Sequence, residues 1–210
     1  MSKAVPRIAV VHLDESCLGN GREGDNPGGA GGLVEVRTPA GITRLDCFIS
    51  APSTTNNRMA LSGAIAVLQL LARKEKRLRL LLVSDSEYLV KGIREWVPSW
   101  TARNWTRKGG AIENLHLWQA LVSSVALHDA QFTWVRGHAG HLKNEYANDL
   151  AVRAAREQVT SDGMVESGFD AWLATARQRG RWLDADPDET FAALERRLDA
   201  GERFALANAA

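Results

Sequence analysis

The chain is poor in cysteine, in long apolar runs and in net charge. Its cysteines are Cys17 and Cys47, too few for the disulfide framework of a small secreted domain, so a reducing cytoplasm is the expected compartment. No apolar stretch approaches the roughly 20 residues that span a bilayer, and no membrane partner is expected. The N-terminal apolar run in "MSKAVPRIAVVHLDES" is interrupted by Asp14 and is too short for a signal peptide. No internal repeat or low-complexity segment is present. With 26 Lys and Arg against 25 Asp and Glu, overall charge selects no partner. The distribution is less even: residues 1–157 hold 20 basic and 15 acidic side chains, residues 158–210 hold 6 and 10. A basic body with an acidic tail allows an anionic partner on the body. Two ordinary solvated surfaces fit the same numbers.

What is present is a regular alternation of elements. "RIAVVHL" (7–13) is β-branched and apolar, and predicts a central strand. A glycine-rich loop of about 18 residues follows. "GLVEVRT" (32–38) and "ITRLDCFI" (42–49) alternate across "PAG", which predicts a hairpin. After the capping residues of "TTNN", Leu61, Ile65, Leu68 and Ala72 stand at helical spacing, so 57–73 is predicted helical. A buried strand (78–84), a helix (86–96), a basic Trp-containing connection (97–112), a helix (113–127), a strand (131–137) and a helix (143–158) complete the series. The order β-β-β-α-β-α-α-β-α predicts an α/β domain whose mixed sheet starts with an antiparallel meander and carries helices on both faces. Beyond a polar linker, two short amphipathic helices are predicted around "DADPD", with Asp186 or Asp188 capping the second.

Asp14 and Asp85 each follow an apolar strand. If those strands are neighbours, the carboxylates converge at the strand C-termini, where α/β folds place their sites. Two clustered carboxylates repel unless a cation separates them, which suggests Mg²⁺ or Mn²⁺. Strand-end aspartates that only cap the next turn are the plainer alternative.

Five segments, "LDESCLGN", "TTNNRMALSGAIAVLQLL", "SDSEYLVKGI", "ENLHLWQAL" and "WVRGHAGHLKNEYANDLAVRAA", occur in that order. Together they resemble type I ribonuclease H over residues 6–157. The resemblance implies a ribonuclease H-like fold with a five-stranded sheet in residues 1–157, and leaves 158–210 as an acidic helical extension of undefined role. It implies cleavage of the RNA strand of an RNA/DNA hybrid by two metal ions held by four carboxylates.

Carried over position by position, the first carboxylate falls on Asp14 and the third on Asp85. The second, a glutamate at the start of a helix, falls on Ala60, and the fourth falls on Asn148. A loop histidine that assists proton transfer and product departure falls on His138, with His141 as the second histidine of that loop. Ala60 offers no oxygen, and Asn148 offers a neutral carbonyl that holds metal weakly. Losing even an outer partner of a metal site costs about 10–100-fold. Metal binding is therefore expected to be weak and cleavage slow. The alternative is an inactive relative that grips hybrid or other nucleic acid without cutting it. Glu15 stands where the family usually has glycine, and strand alternation predicts that it points away from Asp14. Glu145 and Asp149 lie close to Asn148 in sequence, with surface-charge roles the simpler reading.

The resemblance assigns hybrid binding to Asn20, Thr55, Asn56 and Asn57, whose amides and hydroxyls suit ribose hydroxyls, base edges and phosphates. Glu87 occupies a position where bacterial members carry an amide. Trp96, Arg103, Trp105, Arg107 and Lys108 match the family's basic protrusion, which grips the DNA strand. The insertion "GREGD" (21–25) departs from the family pattern, and nothing in it suggests a task.

Overall fold

The computed structural model describes residues 7–19, 26–74, 77–137 and 140–202. Strands β1 (Ile8–Cys17), β2 (Gly28–Thr38) and β3 (Gly41–Ala51) form an antiparallel meander. Strand β4 (Arg79–Ser84) pairs in parallel with the other side of β1, and β5 (Asp129–Trp134) pairs in parallel with β4. The expected five strands become six. A two-residue strand, β6 (Val165–Glu166), pairs with Leu45 and Asp46 of β3, and the order is β5-β4-β1-β2-β3-β6. This strand is held by backbone pairing within a polar stretch, so it leaves no alternation to read.

Helix α1 (Asn56–Lys74) starts at Thr55, whose Oγ1 accepts the Arg58 N–H at 3.3 Å. Its stripe of Leu61, Ala64, Val67, Leu68 and Leu71 is buried, at the spacing of one helical face. Helix α2 (Glu87–Lys91) starts at Ser86, whose hydroxyl accepts the Leu89 N–H. The helix expected over 86–96 is not continuous. Its second half is a π turn (Gly92–Trp96), followed directly by α3 (Val97–Thr101). The π turn begins where Gly92 meets Trp118 of α4 (Leu115–Val125): a Cβ at Gly92 would lie 2.0 Å from the indole.

These helices cover one face of the sheet, packing on Ala9, Val11, Leu13, Val34, Leu80 and Leu82. The opposite face is covered by α5 (Leu142–Glu157), α6 (Phe169–Gln178) and α7 (Pro187–Asp199). Leu33 packs with Tyr146, Leu150, Phe169 and Leu173, while Val10, Leu81 and Val83 pack with Phe191 and Leu198. Asp186 caps α7 by accepting the N–H groups of Asp188 and Glu189. Helix α5 lies flush on β2 because two of its facing residues are glycines. A Cβ at Gly31 would sit 2.4 Å from the Ala147 carbonyl oxygen, and one at Gly29 2.2 Å from that of Ala151. No helix among the described residues is long and apolar enough to cross a membrane.

The second face also buries charge. Glu35 is 0 % exposed. It accepts from Arg44 Nε at 3.0 Å and Lys143 Nζ at 2.6 Å, with His12 Nε2 3.6 Å away. Arg44 reaches on to Asp170 and Asp188, and Lys143 also donates to the Pro187 carbonyl at 2.8 Å. Burial alone would raise the Glu35 pKa, but His12 and the Lys143 ammonium outweigh it and hold the carboxyl at about 2. Sheet, α5 and the segments after α5 thus share one ionic network.

Candidate metal centre

The parallel β1–β4 register ends at Leu13 opposite Ser84. Asp14 and Asp85 are therefore the next residues on two adjacent strands, and their carboxylates meet at the end of the sheet. Asp14 Oδ2 accepts from Asn144 Nδ2 of α5 at 2.7 Å, and its Oδ1 accepts the Glu15 N–H at 2.7 Å. The Asp85 carbonyl accepts Trp134 Nε1 at 2.9 Å. Gly137 is pressed against the Asp85 side chain, since a Cβ there would lie 2.4 Å from Oδ2.

Glu15 overturns the expectation drawn from alternation. Oxygens of Asp14, Glu15 and Asp85 lie within 4.8 Å of one another, and among the described residues these three form a group able to hold a metal ion. Alternation places Glu15 on the side of Leu13, the face covered by α1, while Asp14 faces α5. Beyond Leu13, however, the paired register with β4 has ended, so the sheet no longer separates the two faces. The Glu15 side chain meets Asp85 at that open edge, with Ser86 near enough to favour its charged form.

The three-carboxylate site is electrostatically unfavourable without a cation. Burial, helped by the charge of Asp85, pushes Asp14 up to about 8. Burial, with the charges of Asp14 and Asp85, pushes Glu15 up to about 8 as well. Such a donor set, all oxygen and short of positive charge, fits a hard divalent cation. Protons and cations then compete for the same oxygens. The apparent affinity for Mn²⁺ is expected to rise between about pH 6 and 8 and to level off above, which titration calorimetry across that range will measure. The ordinary values are 3.8 and 4.5, and both groups are raised. In the metal-free chain their contribution to stability is present below pH 3.8 and is lost as pH rises through 8.

None of the remaining described candidate residues belongs to this carboxylate group. Ala60 is 4 % exposed in the α1 core, in the cluster that includes Leu13. Asn148 is half-buried on α5, one turn beyond Asn144 and on the same side of the helix. His138 and Asn20 lie outside the described residues. Thr55 is exposed and caps α1, while Asn56 and Asn57 open that helix half-buried. Glu87 is exposed and pairs with Lys91 at 2.7 Å. Trp96 and Trp100 join Tyr88 and Trp118 in an aromatic cluster with centroids 5.2–6.3 Å apart. Trp105 packs partly against the same core, whereas Arg103, Arg107 and Lys108 are exposed.

The RNase H family model matches residues 6–156. The chain belongs to the ribonuclease H family. A ribonuclease H of Methylococcus capsulatus is 37 % identical over 163 residues, covering 77 % of this chain and 97 % of the relative. The ribonuclease HI of Pseudomonas aeruginosa is 41 % identical over 150 residues, covering 70 % and 93 %. Among solved structures, LC9-RNase H1 is 52 % identical with a TM-score of 0.77, over 82 % of this chain and 83 % of its own. It is described as a type 1 RNase H with the type 2 active-site motif. The sequence of this ribonuclease H-family chain shows Glu15 as a replacement acid that alternation argues against, and it does not single out Asn144. The available signal was a paired change: a carboxylate is absent at Ala60 and present at Glu15, on the same face of the sheet.

Proposed function

We propose that this chain hydrolyses the RNA strand of RNA/DNA hybrids, with Mg²⁺ or Mn²⁺ held by Asp14, Glu15 and Asp85 and a neutral ligand at Asn148. The observation that carries this reading is the three-carboxylate cluster. It returns the site to three formal negative charges, where the aligned positions alone supply two. The earlier expectation of slow cleavage rests on that lower count and is replaced here by an active enzyme. The likeness to a 52 % identical protein described as having a type 2 active-site motif supports the same reading.

The protein's own part is to hold these oxygens still. Asn144 and the Glu15 N–H occupy one oxygen each of Asp14. Divalent cations, when bound, supply an activated water and a clamp on the attacking and leaving oxygens. Thr55, Asn56 and Asn57 would meet the minor groove of the hybrid beside this edge, and exposed Arg103, Arg107 and Lys108 the DNA phosphates. His138 would assist departure of the product. The pairing of Glu87 with Lys91 offsets the charge that would oppose a polyanion there.

The test is incubation with end-labelled hybrid, single-stranded RNA and DNA duplex, each with Mg²⁺, Mn²⁺ or chelator. The expected outcome is cleavage confined to the RNA strand of the hybrid and abolished by chelator. Binding of hybrid without cleavage in either ion would establish the inactive binder instead.

A further inference from the structure

Helix α5 carries Asn144, which holds Asp14, and it is gripped along its other side by the segment that follows it. The junction of that grip is Asp46 of β3, which is 3 % exposed. Its Oδ2 accepts from the Tyr146 hydroxyl of α5 at 2.5 Å and from the Gly168 N–H at 3.1 Å, and its Oδ1 accepts from Ser167 Oγ at 2.7 Å. One buried carboxylate therefore joins β3, α5 and the lead-in to α6. Around it, Trp172 Nε1 donates to Asp149 at 2.6 Å, and Arg181 pairs with Glu145. The Tyr146 ring meets Phe169 and Trp172 edge-on at 5.3 and 5.4 Å. Residues 145, 146 and 149 of α5 are thus held from outside, while Asn144 and Ala147 face the sheet.

The tolerance of the Asn144–Asp14 bond is small. A slide of α5 by one residue is about 1.5 Å, which, where it lengthens the 2.7 Å bond directly, takes it beyond the roughly 3.2 Å limit of a good hydrogen bond. Neither Asp46 nor Tyr146 belongs to the carboxylate cluster or is among the groups that act on Asp14 or Glu15, so the proposed influence passes through the helix. We propose that Asp46 is a positioning residue for the metal centre: by tying Tyr146 to the Ser167–Gly168 turn it fixes α5, and through Asn144 the carboxylate of Asp14. The proposal rests on the reading of Asp14 as a cation ligand. It gives the segment after α5 a task in catalysis that does not require it to touch substrate.

The experiment is Mn²⁺ titration calorimetry on the full chain, with folding checked by circular dichroism. The variants are Asp46→Asn, Tyr146→Phe, Asn144→Ala and the double variant Asp46→Asn with Asn144→Ala. Asp46→Asn and Tyr146→Phe are expected to weaken Mn²⁺ binding by about tenfold, and Asn144→Ala by at least as much. The double variant is expected to bind no more weakly than Asn144→Ala alone, because the effect of Asp46 passes through Asn144. Should Asp46→Asn fail to fold, Tyr146→Phe, which removes a single oxygen, carries the test. Unchanged Mn²⁺ affinity in folded variants, even with a lowered melting temperature, would overturn the proposal. So would losses that multiply in the double variant. Failure of the unmodified chain to bind Mn²⁺ is a separate result, and it removes the metal reading itself.

Discussion

Replacing Glu15 by Gln is expected to lower hybrid cleavage by at least about 100-fold, the upper end of what loss of an outer partner of a metal site costs. The substitution keeps the shape of the side chain. It removes one of the three charges that gather within 4.8 Å. The compensating variant is Glu15→Gly with Ala60→Glu, which moves the carboxylate from strand to helix on the same face of the sheet. Partial recovery by that pair, with little gain from Ala60→Glu alone, is the expected pattern. It would show that a carboxylate is required at this place and that either element can deliver it. Activity of Glu15→Gln within about threefold of the unmodified chain, a difference of less than 1 kcal/mol, would leave Glu15 without a role.

The second large effect lies away from the chemistry. Glu35→Gln leaves Lys143 buried against a neutral amide and removes one of the three carboxylates that Arg44 pairs with. Breaking a buried ion pair by removing one partner typically costs 3–5 kcal/mol, about 6–20 °C in melting temperature for a chain of this size. Scanning calorimetry measures it directly, and a shift below about 2 °C would show that solvent reaches the network. Because the Glu35 pKa is lowered to about 2 from 4.5, its contribution is present above pH 4.5 and is lost as pH falls through 2. This is opposite in sign to the Asp14–Glu15 pair, whose contribution is lost as pH rises. The metal-free chain is therefore expected to be most stable at mildly acidic pH, and excess Mn²⁺ to restore stability at pH 8.

The order of elements was legible because each strand of the meander and each helix carries a clear hydrophobic period. Asp14 and Asp85 could be read as neighbours because both follow apolar runs, and the parallel register bears that out. Glu15 could not be read: alternation does put it on the face opposite Asp14, and only the end of the neighbouring strand lets its carboxylate reach round to Asp85. Pairing with β4 stops one residue before Asp14. The ionic network was hidden for a different reason: Glu35, Arg44 and Lys143 are far apart in sequence and look like surface charge until the elements that bury them are in place. Asp46 was illegible in the same way, because two of its three donors come from a linker with no pattern of its own.

The central claim is that Glu15 stands in for the carboxylate absent at Ala60. The most direct measurement is a crystal structure of the full chain soaked in Mn²⁺, with the ions located by their anomalous scattering. The expected result is a Glu15 carboxylate oxygen about 2.0–2.3 Å from an ion that Asp14 or Asp85 also holds, a distance proper to oxygen ligands of small divalent cations. Ions bound by Asp14 and Asp85, with the Glu15 oxygens more than about 4 Å from every one of them, would contradict it.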